Sequence, residues 1–280
     1  MDKNLNKVAI QGILGSFHYE AAQKFFKTPF ELVSCKNFHD IPNCLHTNTA
    51  QFAVMAIENS IAGAIIPNFA IIDNNALNIV GEVYINIQQN LMALPNQPIE
   101  SIKTVYSHPM ALLQTREFFK QYPHIKLVED SDTAIAAQRI HTKKLKHTAA
   151  VASLAAAEIF DLAILAHSIQ TIKNNATRFF VLQNHANPKY LVKNINKASL
   201  KFITKHQPGS LSKALLIIAS HQLNLSKIQS MPIIETPFEY AFFADVVFDS
   251  YQNYRNALEE LSHEVTHLKI LGEYQQFKTL

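Results

Sequence analysis

Through its first 183 residues the chain repeats one pattern: a short apolar run, a polar turn, then a helix-like periodicity. Short apolar runs separated by helical stretches are the mark of parallel strands joined by crossover helices. The pattern predicts an α/β domain with helices on both faces of its sheet. The runs are residues 8–11, 52–57, 104–106, 163–166 and 179–182, with helices expected over 19–26, 109–119 and an alanine-rich 149–159. A polar stretch from residue 183 to 196, with Pro188 and several Asn, reads as a linker. After it come strand 199–204, helix 211–221, strands 225–232 and 239–248, helix 254–267 and strand 268–272, the βαββαβ order of a ferredoxin-like unit. The expected divisions are therefore a domain over 1–183, a linker over 184–197 and a second domain over 198–280.

Composition narrows the class. With 280 residues, 48% of them hydrophobic and 17% charged, the chain has material for about two packed domains. A net charge of +3 without a stripe of Lys and Arg gives no expectation of nucleic-acid binding. No run of 18 apolar residues exists, so no membrane-spanning helix is expected. Residues 1–7 are polar and lack the apolar stretch of a signal peptide. Cys35 and Cys44 are too few and wrongly spaced for a CxxC pair. The expected setting is soluble, reduced and cytoplasmic.

In open α/β sheets, ligands sit at the carboxyl ends of the strands. The polar side chains offered there are Ser16, Glu58, Asn59, Ser60, Ser107, Gln114, Thr177 and Arg178. Most are neutral hydrogen-bonders. With the Gly12-x-x-Gly15-Ser16 turn leading into a helix and Arg178 as a fixed cation, they suit a small polar anion. Taken singly, each also reads as a cap or turn: Ser107 as an N-cap, Asn59 as a turn residue. Nothing resembles a Ser/His/Asp order or an activated Cys. His263-Glu264-Val265-Thr266-His267 formally matches the HExxH zinc pattern. On the expected helix, however, Leu261, Val265 and Leu268 make the apolar face and both histidines fall off it. Ile270 stands where the longer form of the motif needs Gly, so no metal site is expected.

In order and spacing the motifs resemble those of the prephenate dehydratase family with a C-terminal ACT regulatory domain. Gly12-Ile13-Leu14-Gly15-Ser16-Phe17 is similar to the family's G-P-x-G-T-F, and Ile57-Glu58-Asn59-Ser60-Ile61-Ala62-Gly63 to its I-E-N-S-x-x-G. Ser107-His108-Pro109-Met110-Ala111-Leu112-Leu113-Gln114 resembles S-H-P-Q-A-L-x-Q, with Met110 for the first Gln. Asp132-Thr133-Ala134-Ile135-Ala136-Ala137 resembles S-T-A-x-A-A, and Asn175-Ala176-Thr177-Arg178-Phe179 resembles N-x-T-R-F. In the tail, Pro208-Gly209-Ser210-Leu211 resembles P-G-A-L and Asn224-Leu225-Ser226-Lys227-Ile228 resembles N-L-T-K-I. Gln229-Ser230-Met231-Pro232 stands where the family has E-S-R-P.

The resemblance implies a two-subdomain, periplasmic-binding-protein-like catalytic domain and a ferredoxin-like ACT domain. It implies loss of CO2 and water from prephenate to give phenylpyruvate, toward phenylalanine, without metal or cofactor. The implied catalytic residues are Thr177, Arg178 and Glu58, with Arg178 on a substrate carboxylate and Glu58 either an acid or a brace. The implied substrate-binding residues are Gly15, Ser16, Asn59, Ser60, Ser107, Gln114 and Phe179. Gly209, Ser210, Leu211, Asn224, Leu225, Gln229 and Ser230 would form an allosteric phenylalanine site in a homodimer or homotetramer paired through ACT domains. Gln229 and Met231 remove both charges of E-S-R-P, so a weakened phenylalanine response is expected. Arogenate dehydratase and a non-enzymatic binder of small anions on the same cleft are the alternative readings. A fused mutase is not expected, because residues 1–7 leave no room for its helices.

Overall fold

The computed structural model describes residues 5–186, 188–190, 192–233 and 236–277. Residues 1–4 of the polar start and residues 187 and 191 of the expected linker lie outside the described residues.

The first lobe is built from β1 (Lys7–Gln11), α1 (Phe17–Phe26), β2 (Glu31–Cys35), α2 (Ile41–His46), β3 (Phe52–Asn59), β4 (Gly63–Ala64), α3 (Ile66–Asn74) and β5 (Leu77–Asn86). The chain then leaves to form a second lobe. This comprises β6 (Asn90–Ala93), β7 (Thr104–Ser107), α4 (Pro109–Phe119), β8 (Lys126–Glu129), α5 (Thr133–Lys143), β9 (Thr148–Ala152), α6 (Leu154–Ile159) and β10 (Ala163–Ala166). It returns through β11 (Ala176–Asn184), which inserts between β5 and β3, antiparallel to both. Two chain crossings therefore join the lobes. They are tied together where the Ile87 N–H donates to the Asn175 carbonyl (2.6 Å) and the Ile169 N–H to that of Gln89 (2.7 Å).

The second lobe's sheet runs β10-β6-β9-β7-β8. Here the sequence reading needs a correction: the alanine-rich helix expected over 149–159 is a strand followed by a helix. Ala149, Ala150, Val151 and Ala152 are fully buried in β9, between β6 and β7. In a strand covered on both faces, small side chains let helices approach, which overrides alanine's helical preference. Ser153 then caps α6 by accepting the Ala156 N–H.

The tail forms β12 (Lys197–Thr204), α7 (Ser210–Ser220), β13 (Asn224–Pro232), β14 (Tyr240–Val247), α8 (Tyr251–Glu264) and β15 (Val265–Tyr274), the expected βαββαβ order. α8 ends at Glu264, so His263 is helical and His267 lies on β15. The HExxH pattern thus straddles two elements, and its histidines do not share a helical turn.

The tail's sheet does not stand apart. Its strands extend the first lobe's sheet in the order β13-β14-β12-β15-β5-β11-β3-β1-β2, joined where Gly272 pairs with Ile79. A Cβ on Gly272 would lie 2.1 Å from the Ile79 carbonyl oxygen, so the seam needs a residue with no side chain. Beside it, Lys201 and Lys269 of the tail both bond the Asp73 carboxylate at the end of α3. Gly272→Ala is expected to destabilise the protein by about 1–3 kcal/mol, since backbone on both sides must move. An unchanged urea midpoint would show that the seam is not tight.

Candidate active site

A cleft of about 310 Å3 lies between the lobes. From the first lobe it is lined by Gln11, Phe17, His18, Phe38, Ala56, Asn59, Thr177 and Phe179, and from the second by His108, Met110, Gln114, Asp132 and Thr133. Three helices, α1, α4 and α5, begin near it.

Strand alternation decides which residues reach this cleft. On β11, Thr177 and Phe179 face it and Arg178 faces away. On β3, Asn59 faces the cleft opposite Thr177, and Glu58 pairs with Arg178 behind. Arg178 pairs with Glu58 and Phe179 with Ala56, leaving Ile57 as the extra residue of a β-bulge. The bulge resets the alternation and turns Ala56 to the cleft beside Phe179.

Asn59 organises the cleft's polar edge. Its Oδ1 accepts the backbone N–H groups of Ile61 (3.0 Å) and Ala62 (2.9 Å), which fixes the direction of its amide. Its Nδ2 donates to Asn175 Oδ1 (2.7 Å) and to Thr177 Oγ1 (2.9 Å). Asn175, fully buried, passes the chain on by donating to Gln114 Oε1 (3.1 Å) in the other lobe. Because Thr177 Oγ1 accepts from Asn59, its own O–H is left to donate elsewhere. Ser60 clamps β3 to β11: its N–H donates to the Ala176 carbonyl (2.8 Å) and its Oγ accepts the Ala176 N–H (3.0 Å).

Several expected positions lie elsewhere. Arg178 does not meet Thr177 in the cleft, because adjacent strand residues point to opposite faces. It is buried among Glu82, Asp245 and Tyr274, so the expected pairing with a substrate carboxylate does not fit its position. Glu58 likewise faces away and pairs with Lys227 (2.8 Å), the brace rather than the acid. Ser107 is fully buried and donates to the Val151 carbonyl (2.6 Å); the cap of α4 is His108, whose Nδ1 accepts the Met110 N–H. Ser16 caps α1 by accepting the Tyr19 N–H. Gly15, at φ 81°, packs its Cα against Ala156, where a Cβ would come within 2.8 Å, and its carbonyl accepts from Ser153. Gly15 thus belongs to the contact between lobes, and neither residue lines the cleft.

Four further residues line the cleft that were not among the expected site residues: His108 and Asp132, which stand inside two of the quoted motifs, and His18 and Gln89, which no motif marks. Asp132 caps α5 through Oδ1, which accepts from the Ala134 and Ile135 N–H groups. Among the described residues, both of its hydrogen bonds go to Oδ1 and none to Oδ2. Burial raises the Asp132 pKa, against the lowering effect of those two N–H groups and of His108. The Gln89 amide oxygen, also at the cleft, is buried without a partner. Among the lining residues there is no Lys or Arg.

In the tail, Gly209 adopts φ 82° ahead of α7, with open space where a Cβ would stand. It lines a second cavity, of about 420 Å3, with Leu211, Ser212, Glu239, Tyr240 and Phe242, while Ser210 opens α7. Asn224, Leu225, Gln229 and Ser230 lie on β13, paired only with β14 at the sheet's edge and outside that cavity's lining.

The family model described as prephenate dehydratase matches residues 8–187. A bifunctional chorismate mutase/prephenate dehydratase of Enterobacter agglomerans is 32% identical over 98% of this chain and 73% of its own. An arogenate dehydratase/prephenate dehydratase of Arabidopsis thaliana is 34% identical over 96% of this chain and 72% of its own. Among solved structures, GqqA, described as a quorum-quenching acylase, superposes with TM-score 0.85 at 28% identity, covering 97% of this chain and 98% of its own. A prephenate dehydratase of Arthrobacter aurescens in complex with L-Phe gives TM-score 0.82 at 24% identity, covering 96% and 89%, and supports the fold.

The cleft floor carries a pH signature. His18 is buried between Phe38 and Phe179, with ring centroids 5.4 and 5.0 Å away, and its Nε2 accepts the Ala56 N–H (3.3 Å). Burial drives its pKa from 6.5 to about 3. The unfolded chain takes up a proton here near pH 6.5 and the folded chain does not. This stability is therefore full above pH 6.5 and is lost as pH falls toward 3, at about 1.4 kcal/mol per unit. Urea unfolding at pH 6.5 and 5 is expected to show wild type losing about 2 kcal/mol more than His18→Gln. Equal losses would mean that His18 is not held neutral.

Proposed function

The chain belongs to the prephenate dehydratase family, and we propose that its interlobe cleft performs the family's reaction with Thr177 as hydrogen-bond donor to the departing hydroxyl. It is a hydro-lyase of aromatic amino-acid biosynthesis that converts prephenate to phenylpyruvate. In that reaction the bond from the ring to its carboxylate breaks, and its electron pair enters the ring. The opposite hydroxyl takes up a proton and leaves as water. Aromatisation drives the step, so the enzyme's tasks are to hold the ring in one pose, assist the hydroxyl and keep water from the leaving carboxylate.

The observation that carries the reading is the Asn59–Thr177 pair. Asn59 occupies the Thr177 lone pair, which directs the threonine proton into the cleft. Gln114, joined to Asn59 through Asn175, brings the second lobe to the same point when the cleft is formed. Phe179 and Phe17 supply apolar walls for a six-membered ring.

A second substrate is favoured by one feature of the same wall. The cleft presents two acceptors to which no donor among the described residues is bonded, Asp132 Oδ2 and the buried Gln89 Oε1, and no Lys or Arg lines it. Such a set suits arogenate, whose side-chain ammonium supplies the donors and the positive charge that prephenate lacks. A single kinetic series tests both readings. Thr177→Val is expected to lower kcat by about 100-fold or more on either substrate, while Thr177→Ser keeps most turnover. Asn59→Asp, which would accept the threonine proton instead of donating to it, is also expected to lose kcat. Asp132→Asn keeps the helix cap and is expected to shift the arogenate-to-prephenate ratio of kcat/KM toward prephenate by about 10-fold. Full turnover by Thr177→Val would remove Thr177 from the mechanism, and an unmoved ratio in Asp132→Asn would remove the arogenate reading.

The catalytic division falls over residues 1–183 and the ACT division over 198–280. No described helix is long and apolar enough to cross a membrane, and a cytoplasmic enzyme is the reading we adopt. The ACT division is assigned as a phenylalanine-binding, subunit-pairing unit, supported by the open Gly209 turn and the exposed edge of β13. Light scattering with and without phenylalanine is expected to give a dimer or tetramer, with a weak response to the amino acid. A monomer under both conditions would exclude this assignment.

A further inference from the structure

The residues behind the cleft form a block that the reaction itself does not use. On the front, Thr177 and Asn59 are cross-strand partners of β11 and β3; on the back, Arg178 and Glu58 are the partners next in register. Facing that back pair are Asp245 of β14 and Lys227 of β13, which are themselves cross-strand partners. Asp245 meets Arg178 Nη1, and Lys227 Nζ meets Glu58 Oε1 at 2.8 Å. Arg178 and Glu58 stand 3.9 Å apart. A plus-minus pair on one sheet ladder is thus docked on a minus-plus pair of another, and each charge of the first pair sits one residue from Thr177 or Asn59.

We propose that Asp245 and Lys227 are positioning residues for the dehydration step, acting through Arg178 and Glu58 to set Thr177 against Asn59. A 2.9 Å hydrogen bond between two side chains on adjacent strands depends on the rotation of each strand about its axis. Strands can twist within their ladders, and the group attached to the other face of these two adds a further restraint on that rotation. For β11 that group is Arg178, locked by Asp245, by Glu82 (2.7 Å) and by the Tyr274 hydroxyl (3.0 Å). For β3 it is Glu58, locked by Lys227, whose side chain is 10% exposed. The tail end of the block carries a β-bulge. The β13–β14 register breaks between Leu225 and Lys227, and Ser226 Oγ donates to the Asp245 carbonyl across that break.

The inference rests on Thr177 and Asn59 being the reacting pair, and the test separates the two. Removing Asp245 leaves the buried cluster of Arg178, Lys197 and Glu82 one negative charge short, which threatens folding. Lys227→Met is the safer variant, because Glu58 is about a third exposed and stays hydrated. Lys227→Met with an unchanged melting temperature is expected to lose kcat by about 10-fold while KM moves less than about 2-fold. Lys227→Arg, which retains the ion pair, is expected to keep wild-type kcat. Thr177→Val is measured alongside. If Thr177→Val is inactive and Lys227→Met turns over like wild type, the positioning role is overturned and the active-site reading stands. If Thr177→Val turns over normally, both fall. A kcat loss in Lys227→Met that Lys227→Arg shares equally also overturns the role, since it would not depend on the charge.

Discussion

Four charged groups, Arg178, Glu82, Lys197 and Asp245, are buried together where the tail meets the first lobe, each 3% exposed or less. Two are positive and two negative, so the cluster is neutral as a set and ruinous in part, since an unpaired buried charge costs far more than a pair returns. Lys197 spans both oxygens of Glu82, at 2.9 and 3.0 Å. Ser199 and Tyr274 fill the remaining hydrogen-bond positions around Asp245 and Arg178. Burial of this kind tolerates no slippage. It fixes where β12, β14 and β15 lie against β5 and β11, and with them the seam at Gly272 that makes one sheet of two units.

That arrangement divides the labour along each strand. Charge is confined to the back of β3 and β11, while their front presents neutral amide and hydroxyl groups and aromatic walls. A site for an anion without a fixed cation relies on helix N-termini and oriented amides, which lose little by being kept dry. The same economy explains His18: burial between two aromatic rings keeps it neutral, so it serves as an acceptor for the Ala56 N–H and not as a proton donor.

Much of the front was legible in the chain, because front residues are local. Asn59 and Thr177 sit at strand ends and Gln114 within the helix that opens at Pro109, all of which short-range pattern marks, and the βαββαβ tail follows from periodicity alone. The back was not. Arg178 meets Asp245 across 67 positions and Tyr274 across 96, distances at which spacing carries no information. Read alone, an Arg beside a Thr looks like one more site residue, and only the alternation of β11 turns it away. Ser107 was misplaced for a similar reason: its hydroxyl is spent on the Val151 carbonyl of a strand 44 residues on. The alanine run of β9 deceived because helical preference is weak beside burial on two faces.

The seam and the charge cluster also set an order of assembly on the ribosome. The second lobe, residues 90–166, draws its sheet from one continuous stretch and is complete as soon as it has emerged. The first lobe is different. Its β5 and β11 carry Glu82 and Arg178, which pair with each other, but the rest of the cluster that buries them arrives later, Asp245 after 67 residues and Tyr274 after 96. At 5–20 residues per second, that is a wait of about 5–20 s in which the strand bearing Thr177 has no dry place to go. The nascent catalytic lobe is therefore expected to stay open until the tail docks, so that an unfinished chain never closes a working cleft.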